Sequence, residues 1–141
     1  MAKILIVDDD PLYIRIYQLK FKVDGHTVET AVDGKEALTK IESFTPDLIL
    51  LDIMMPEMDG FEVLRRLKAN PKTKKIPVVL LTNLGGDDAD TLKGIELGAV
   101  AYLVKSAYTP KEVLQKIKEI LAATVSEVPQ VKVKIKPLTN S

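Results

Sequence analysis

The sequence predicts an α/β fold: a doubly wound, five-stranded parallel sheet in the order 2-1-3-4-5, covered by helices on both faces. Three observations predict it. Five short apolar runs alternate with five stretches of helical periodicity, the pattern of strand-then-helix units that cross over a parallel sheet. The first, third and fourth runs are almost wholly apolar, as strands buried on both faces must be. The second mixes apolar and polar residues, which suits an edge strand with one wetter face.

Lys3-Ile4-Leu5-Ile6-Val7 is the first strand and runs into Asp8-Asp9-Asp10. Asp10 caps the first helix and Pro11 takes its first position, where a missing N–H has no consequence. Leu12, Ile16, Leu19 and Val23 give that helix an apolar stripe, and Asp24-Gly25 stops it. Thr27 to Val32 is the second strand. Asp33-Gly34-Lys35-Glu36 opens the second helix, with Ala37, Leu38, Ile41 and Phe44 as its apolar positions. Pro46 bounds the third strand, Asp47 to Leu51, which ends at Asp52. Asp59 caps the third helix, with Glu62 at the reciprocal position of a capping box and Phe61, Leu64 and Leu67 inward. Ile76 to Leu81 is the fourth strand and ends in Thr82. Gly85-Gly86-Asp87-Asp88 is expected to be a flexible connection, leading to a fourth helix that contains Leu92 and Ile95 and is capped by Gly98. Val100 to Val104 is the fifth strand and ends in Lys105. Thr109-Pro110-Lys111-Glu112 combines a capping box with proline at the first helical position, and Val113, Ile117, Ile120 and Leu121 line the fifth helix.

Residues 1–123 are therefore expected to form one domain and 124–141 a C-terminal tail or linker. Within that tail Val131 to Lys136 alternates like an exposed strand between Pro129 and Pro137. At 141 residues the chain has interior enough for a full sheet-and-helix core. Lys+Arg and Asp+Glu both number 20, so no global charge draws it to nucleic acid or membrane. No apolar run has the length to span a bilayer, and the start Met-Ala-Lys-Ile lacks a signal-peptide pattern. With no Cys there is no disulfide framework and no thiolate chemistry. A cytoplasmic location is the expectation.

What ends the strands carries the functional reading. In a parallel sheet all strand ends lie on one edge, and the order 2-1-3-4-5 puts strands one, three, four and five side by side. Asp8 and Asp9, Asp52, Thr82 and Lys105 then converge at the edge where open α/β sheets bind ligands. At about 5 Å and an effective dielectric near 20, each carboxylate pair costs on the order of 3 kcal/mol. A hard divalent cation and an ammonium group offset that. Mg²⁺ fits, because it takes one or two carboxylates and keeps its remaining sites for water and phosphate oxygens. Lys105 supplies the fixed positive charge and Thr82 a neutral donor. A carboxylate nucleophile, a cation seat, a lysine and a hydroxyl are the parts needed to receive a phosphoryl group.

At these residues the chain resembles the receiver domain of two-component response regulators, the CheY-like superfamily of the flavodoxin-like three-layer fold, in its stand-alone single-domain form. The resemblance rests on Lys3-Ile4-Leu5-Ile6-Val7-Asp8-Asp9-Asp10, on Leu50-Leu51-Asp52-Ile53-Met54-Met55-Pro56-Glu57-Met58-Asp59-Gly60, on Leu81-Thr82 and on Tyr102-Leu103-Val104-Lys105, and it runs from about Lys3 to Ala122. It implies that Asp52 is the phosphoacceptor, taking its phosphoryl group from the phosphohistidine of a sensor histidine kinase or phosphotransfer protein. It implies that Asp9 ligates Mg²⁺ directly, Asp8 through water and Met54 through its backbone carbonyl, with Asp52 the remaining metal-site carboxylate. Lys105 is then expected to pair with the phosphoryl oxygens and Thr82 to hydrogen-bond one of them. Tyr102 takes the switch position: as Thr82 moves toward the phosphate, it is expected to turn inward and alter the surface of the fourth helix, fifth strand and fifth helix, where a downstream protein binds. The resemblance allows a homodimer formed on phosphorylation, and it implies a signalling phosphoacceptor rather than an enzyme.

Plainer roles stand beside these. Asp10, Asp87 and Asp88 read as helix caps, His26 as an exposed turn residue, and the methionines at 54, 55 and 58 as packing. Asn83 follows Thr82 where the family usually has something smaller, which bears on access to the site. Ser106 follows Lys105 where the family commonly has a cis proline, so the isomer of that bond is open. Met54 replaces polar side chains often found there, which leaves the dephosphorylation rate open. Of the other chemistries, a haloacid-dehalogenase-type phosphatase needs a second Asp where Met54 stands, and a flavin carrier needs a phosphate loop where Asp8-Asp9-Asp10-Pro11 would repel phosphate. A receiver fold kept as an unphosphorylated scaffold, or an engineered derivative, shares every one of these motifs.

Overall fold

Five strands pair in parallel in the order expected, β2-β1-β3-β4-β5. The structure, a computed structural model, describes residues 1–84 and 87–126. Its elements are β1 (Lys3–Val7), α1 (Pro11–Val23), β2 (Thr27–Ala31), α2 (Gly34–Phe44), β3 (Leu48–Leu51), α3 (Gly60–Ala69), β4 (Val78–Thr82), α4 (Asp88–Glu96), β5 (Ala101–Val104), a 3-10 turn (Lys105–Ala107) and α5 (Pro110–Ser126). The Gly85-Gly86 connection and the alternating run from Val131 to Lys136 lie outside the described residues.

Period-two alternation along the strands splits the core in two. Ile4, Ile6, Leu48 and Leu50 point to the face covered by α1 and α5, whereas Leu5, Val7, Ile49 and Leu51 point to the face covered by α2, α3 and α4. β1, β3 and β4 are buried along almost their whole length, while β2 alternates, as its edge position requires.

The helix starts follow the capping residues in the sequence. Asp10 accepts from Leu12 N–H, Asp33 from Glu36 N–H, Asp59 from Glu62 N–H and Asp87 from Asp90 N–H. Thr109 and Glu112 form the reciprocal box of α5, at 3.2 and 2.8 Å. The box of α3 is only half made: the Glu62 carboxylate turns instead to Arg65 and Arg66 on its own helix, where two guanidinium groups outcompete a single backbone N–H.

Two readings of the sequence, of the α1 stripe and of His26, need correction. The stripe of Leu12, Leu19 and Val23 faces solvent, at 63, 54 and 85% exposure. The buried face of α1 is aromatic, with Tyr17 and Phe21 inward. On α4, Leu92 points outward, and the one buried residue is Gly94, whose missing side chain lets the helix approach Leu80 and Tyr102. A Cβ there would lie 2.6 Å from Leu80 Cδ1. Finally, His26 is half-buried: its Nδ1 accepts from Ala2 N–H at 3.1 Å and its ring meets Phe21 edge-on. Burial, followed by the nearby N-terminal ammonium, lowers its pKa.

Candidate functional site

The register of the sheet builds the site. Val7 lies opposite Leu51 in the β1–β3 pair, so the next residues, Asp8 and Asp52, emerge side by side. Backbone bonds carry the pairing one step further, from Asp52 N–H to Val7 O at 2.9 Å and from Asp8 N–H to Ala31 O at 3.1 Å. Carboxylate oxygens of Asp8, Asp9 and Asp52 all lie within 4.8 Å of one another. Asp8 and Asp52 are buried and Asp9 is exposed, so the cluster opens to solvent on the Asp9 side.

Lys105 follows β5 directly, and its Nζ stands 2.8 Å from Asp8 Oδ2 and 3.3 Å from Asp52 Oδ2. The two buried aspartates are held in the same way. Each gives Oδ2 to Lys105 and accepts at Oδ1 from the backbone N–H two residues later, Asp10 at 2.8 Å and Met54 at 3.3 Å. Burial pushes Asp8 up to about 6 against the opposing pull of Lys105. Burial also acts to lower Lys105, but the hydrogen bond to Asp8 and the two carboxylate charges outweigh it and raise its pKa.

Thr82 ends β4 fully buried, in register with Val104, and its Oγ1 accepts from Leu84 N–H at 3.1 Å. Tyr102 is 1% exposed and its hydroxyl donates to Leu84 O at 2.7 Å. Burial and the charges of Asp90, Asp87 and Asp52 push that hydroxyl up to about 12. The ring thus already lies inward in this structure. Thr82 and Tyr102 share one short loop segment as their hydrogen-bond partner. Asn83 is exposed, as is the Met54 side chain. No described peptide bond is cis, so Lys105–Ser106 is trans.

The loop after Asp52 is closed by Gly60, whose N–H donates to Ile53 O at 2.8 Å. A Cβ on Gly60 would lie 2.3 Å from Asp52 O, so only glycine lets α3 start against the peptide of Asp52. One neighbour escaped the sequence reading. The ring of Tyr13, in the first turn of α1, lies under the Lys105 ammonium, with Nζ 4.0 Å from the ring centre. Its signal was present in the spacing Tyr13, Tyr17, Phe21, a second apolar face of the same helix.

Chemically, three hard oxygen donors within reach of one point, one of them on the open side, suit a small divalent cation that keeps several waters. A buried carboxylate beside a fixed ammonium, with a hydroxyl on the adjoining strand, suits an anionic group arriving at the edge of the sheet.

The chain is similar to known proteins. The response regulator receiver domain matches residues 4–118. The chain belongs to the response regulator receiver domain family. This receiver is 47% identical over 104 residues to the response regulator PleD of Caulobacter vibrioides, covering 74% of this chain and 23% of PleD. It is 40% identical over 119 residues to the alkaline phosphatase synthesis transcriptional regulatory protein PhoP of Bacillus subtilis, covering 84% of this chain and 48% of PhoP. It superimposes on the CheY-like response regulator receiver domain protein of Methanospirillum hungatei with a TM-score of 0.81 at 32% identity, covering 90% of this chain and 98% of that one. The chain spans about half the length, or less, of the curated relatives it matches. Receivers are signalling phosphoacceptors rather than classical enzymes, and their acidic pocket generally takes Mg²⁺. No described helix is long and apolar enough to cross a membrane.

Proposed function

We propose that this receiver takes a phosphoryl group on Asp52 from the phosphohistidine of a sensor histidine kinase or phosphotransfer protein in the cytoplasm. The observation that carries the reading is the Lys105 ammonium bridging Asp8 and Asp52 inside the three-carboxylate cluster. In the transfer an Asp52 carboxylate oxygen bonds to phosphorus as the phosphorus–nitrogen bond to the donor imidazole breaks, and the bonding pair leaves with the imidazole. Asp8 and Asp9, with Asp52 and the Met54 carbonyl, would hold Mg²⁺, which when bound neutralises charge on the phosphoryl oxygens. Lys105 exchanges its carboxylate contacts for a phosphoryl oxygen, and the Thr82 hydroxyl donates to another. Self-phosphorylation from a small phosphodonor and autodephosphorylation use the same groups.

The outcome is read at the surface of α4, β5 and α5. Tyr102 and Thr82 both bond Leu84, so drawing Thr82 toward a phosphoryl oxygen bears on the tyrosine and on the loop that leads into α4. A downstream protein bound there, or a second copy of the chain, senses the change as a shift between two states. Intact mass after incubation with acetyl phosphate and Mg²⁺ tests the reading. One phosphate should be added to the wild type and none to Asp52→Asn; an unchanged wild-type mass, or an adduct that survives in Asp52→Asn, overturns it.

A further inference from the structure

The inference concerns Tyr13 and rests on the phosphoacceptor reading of Asp52. An ammonium has three N–H donors, and two of those of Lys105 point to Asp8 and Asp52. The third side of Nζ is covered by the face of Tyr13, 4.0 Å from the ring centre. Lys105 is 7% exposed, so this is a desolvated cation on an aromatic face, the setting in which such contacts are strongest.

The ring is itself fixed. It stacks on Tyr17 at 6.3 Å and 14°, and Tyr17 is buried against Phe21 at 6.2 Å. The column stands on a helix whose first turn is set by the Asp10 cap and Pro11. Tyr13 is therefore held by its own helix, independently of Lys105.

We propose that Tyr13 is a positioning residue for phosphoryl transfer: it seats the Lys105 ammonium on its ring face while the two carboxylates hold it. A hydrogen-bond acceptor at that place would hold the ammonium in one direction. A ring face attracts the charge without choosing among its N–H bonds, so Nζ can turn from Asp8 and Asp52 to an arriving phosphoryl oxygen while its floor stays in place. Without the ring, water would take the third donor and the long lysine chain would regain rotamer freedom.

The test compares wild type, Tyr13→Phe and Tyr13→Leu by two measurements. In proton NMR of lysine-labelled protein, the Lys105 ε-methylene signals should be shifted upfield by the ring in wild type and Tyr13→Phe, and should lose that shift in Tyr13→Leu. In phosphorylation by acetyl phosphate with Mg²⁺, Tyr13→Leu should be slower by about tenfold and Tyr13→Phe should stay within about twofold of wild type. A Leu variant as fast as wild type, a Phe variant as slow as Leu, or the absence of the upfield shift in wild type overturns the proposal. If the wild type takes up no phosphate, the phosphoacceptor reading fails, and the ring shift alone still decides whether Tyr13 seats Lys105.

Discussion

Lys105 lies closer to Asp8 than to Asp52, at 2.8 against 3.3 Å. The lysine therefore neutralises Asp8 more directly and leaves Asp52 the less committed of the two. Lys105→Met removes the one cation that, among the described residues, pairs with these buried aspartates. Stripping one member from a buried ion pair costs about 3 kcal/mol, and denaturant unfolding of the metal-free variant should show a loss of that size. Adding Mg²⁺ should narrow the gap; a variant as stable as wild type without metal contradicts the arrangement.

Asp9 differs from its neighbours in being exposed. Its repulsion with Asp8 and Asp52 is screened by water, so the sequence-based figure for each carboxylate pair is too large here. Asp9→Asn should stabilise the metal-free protein by less than about 1 kcal/mol while removing most of the Mg²⁺-dependent rise in melting temperature. Equal metal-dependent shifts in variant and wild type would remove Asp9 from the cation site.

Gly60 gives a steric prediction independent of charge. Its Cβ would meet the carbonyl of Asp52, a backbone atom that cannot rotate away. Gly60→Ala should lose about 3 kcal/mol in chemical unfolding and should phosphorylate more slowly, because the strain falls on the peptide of Asp52. An alanine variant of unchanged stability would show that the loop relaxes freely.

Lys68 gives a pH dependence away from the site. Its Nζ donates to Lys74 O and Ile76 O at 2.9 and 2.8 Å, and burial lowers its pKa from 10.5 to about 8. Between those values the unfolded chain binds the proton and the folded chain does not, so this residue's contribution to stability rises with pH across that window. Its penalty is full below about pH 8 and is relieved toward pH 10.5. Measured against Lys68→Met, wild type should gain relative stability between pH 7.5 and 10; a difference independent of pH would count against it.

Strand order and the convergence of Asp8, Asp9, Asp52 and Lys105 were legible in the sequence because both follow from where apolar runs stop. The buried face of α1 was not. That helix carries two apolar stripes, Leu12-Ile16-Leu19-Val23 and Tyr13-Tyr17-Phe21, and periodicity alone does not say which one the sheet takes. The larger rings win, since they fill the space over β1 and β3 that the aliphatic stripe would leave open. Tyr13 was missed for the same reason: its contact with Lys105 joins the start of α1 to the end of β5, a relation between elements that no local window contains. On α4 the decisive inward residue is Gly94, which a search for apolar side chains passes over.

That glycine has a mechanical consequence. A helix that meets its sheet through a bare α-carbon brings its backbone close to the groups it covers. Beneath it lie the ring of Tyr102 and the tip of Leu80. With no side chain of Gly94 standing between them, the position of that ring and of that methyl group sets how near the backbone of α4 can come to the sheet.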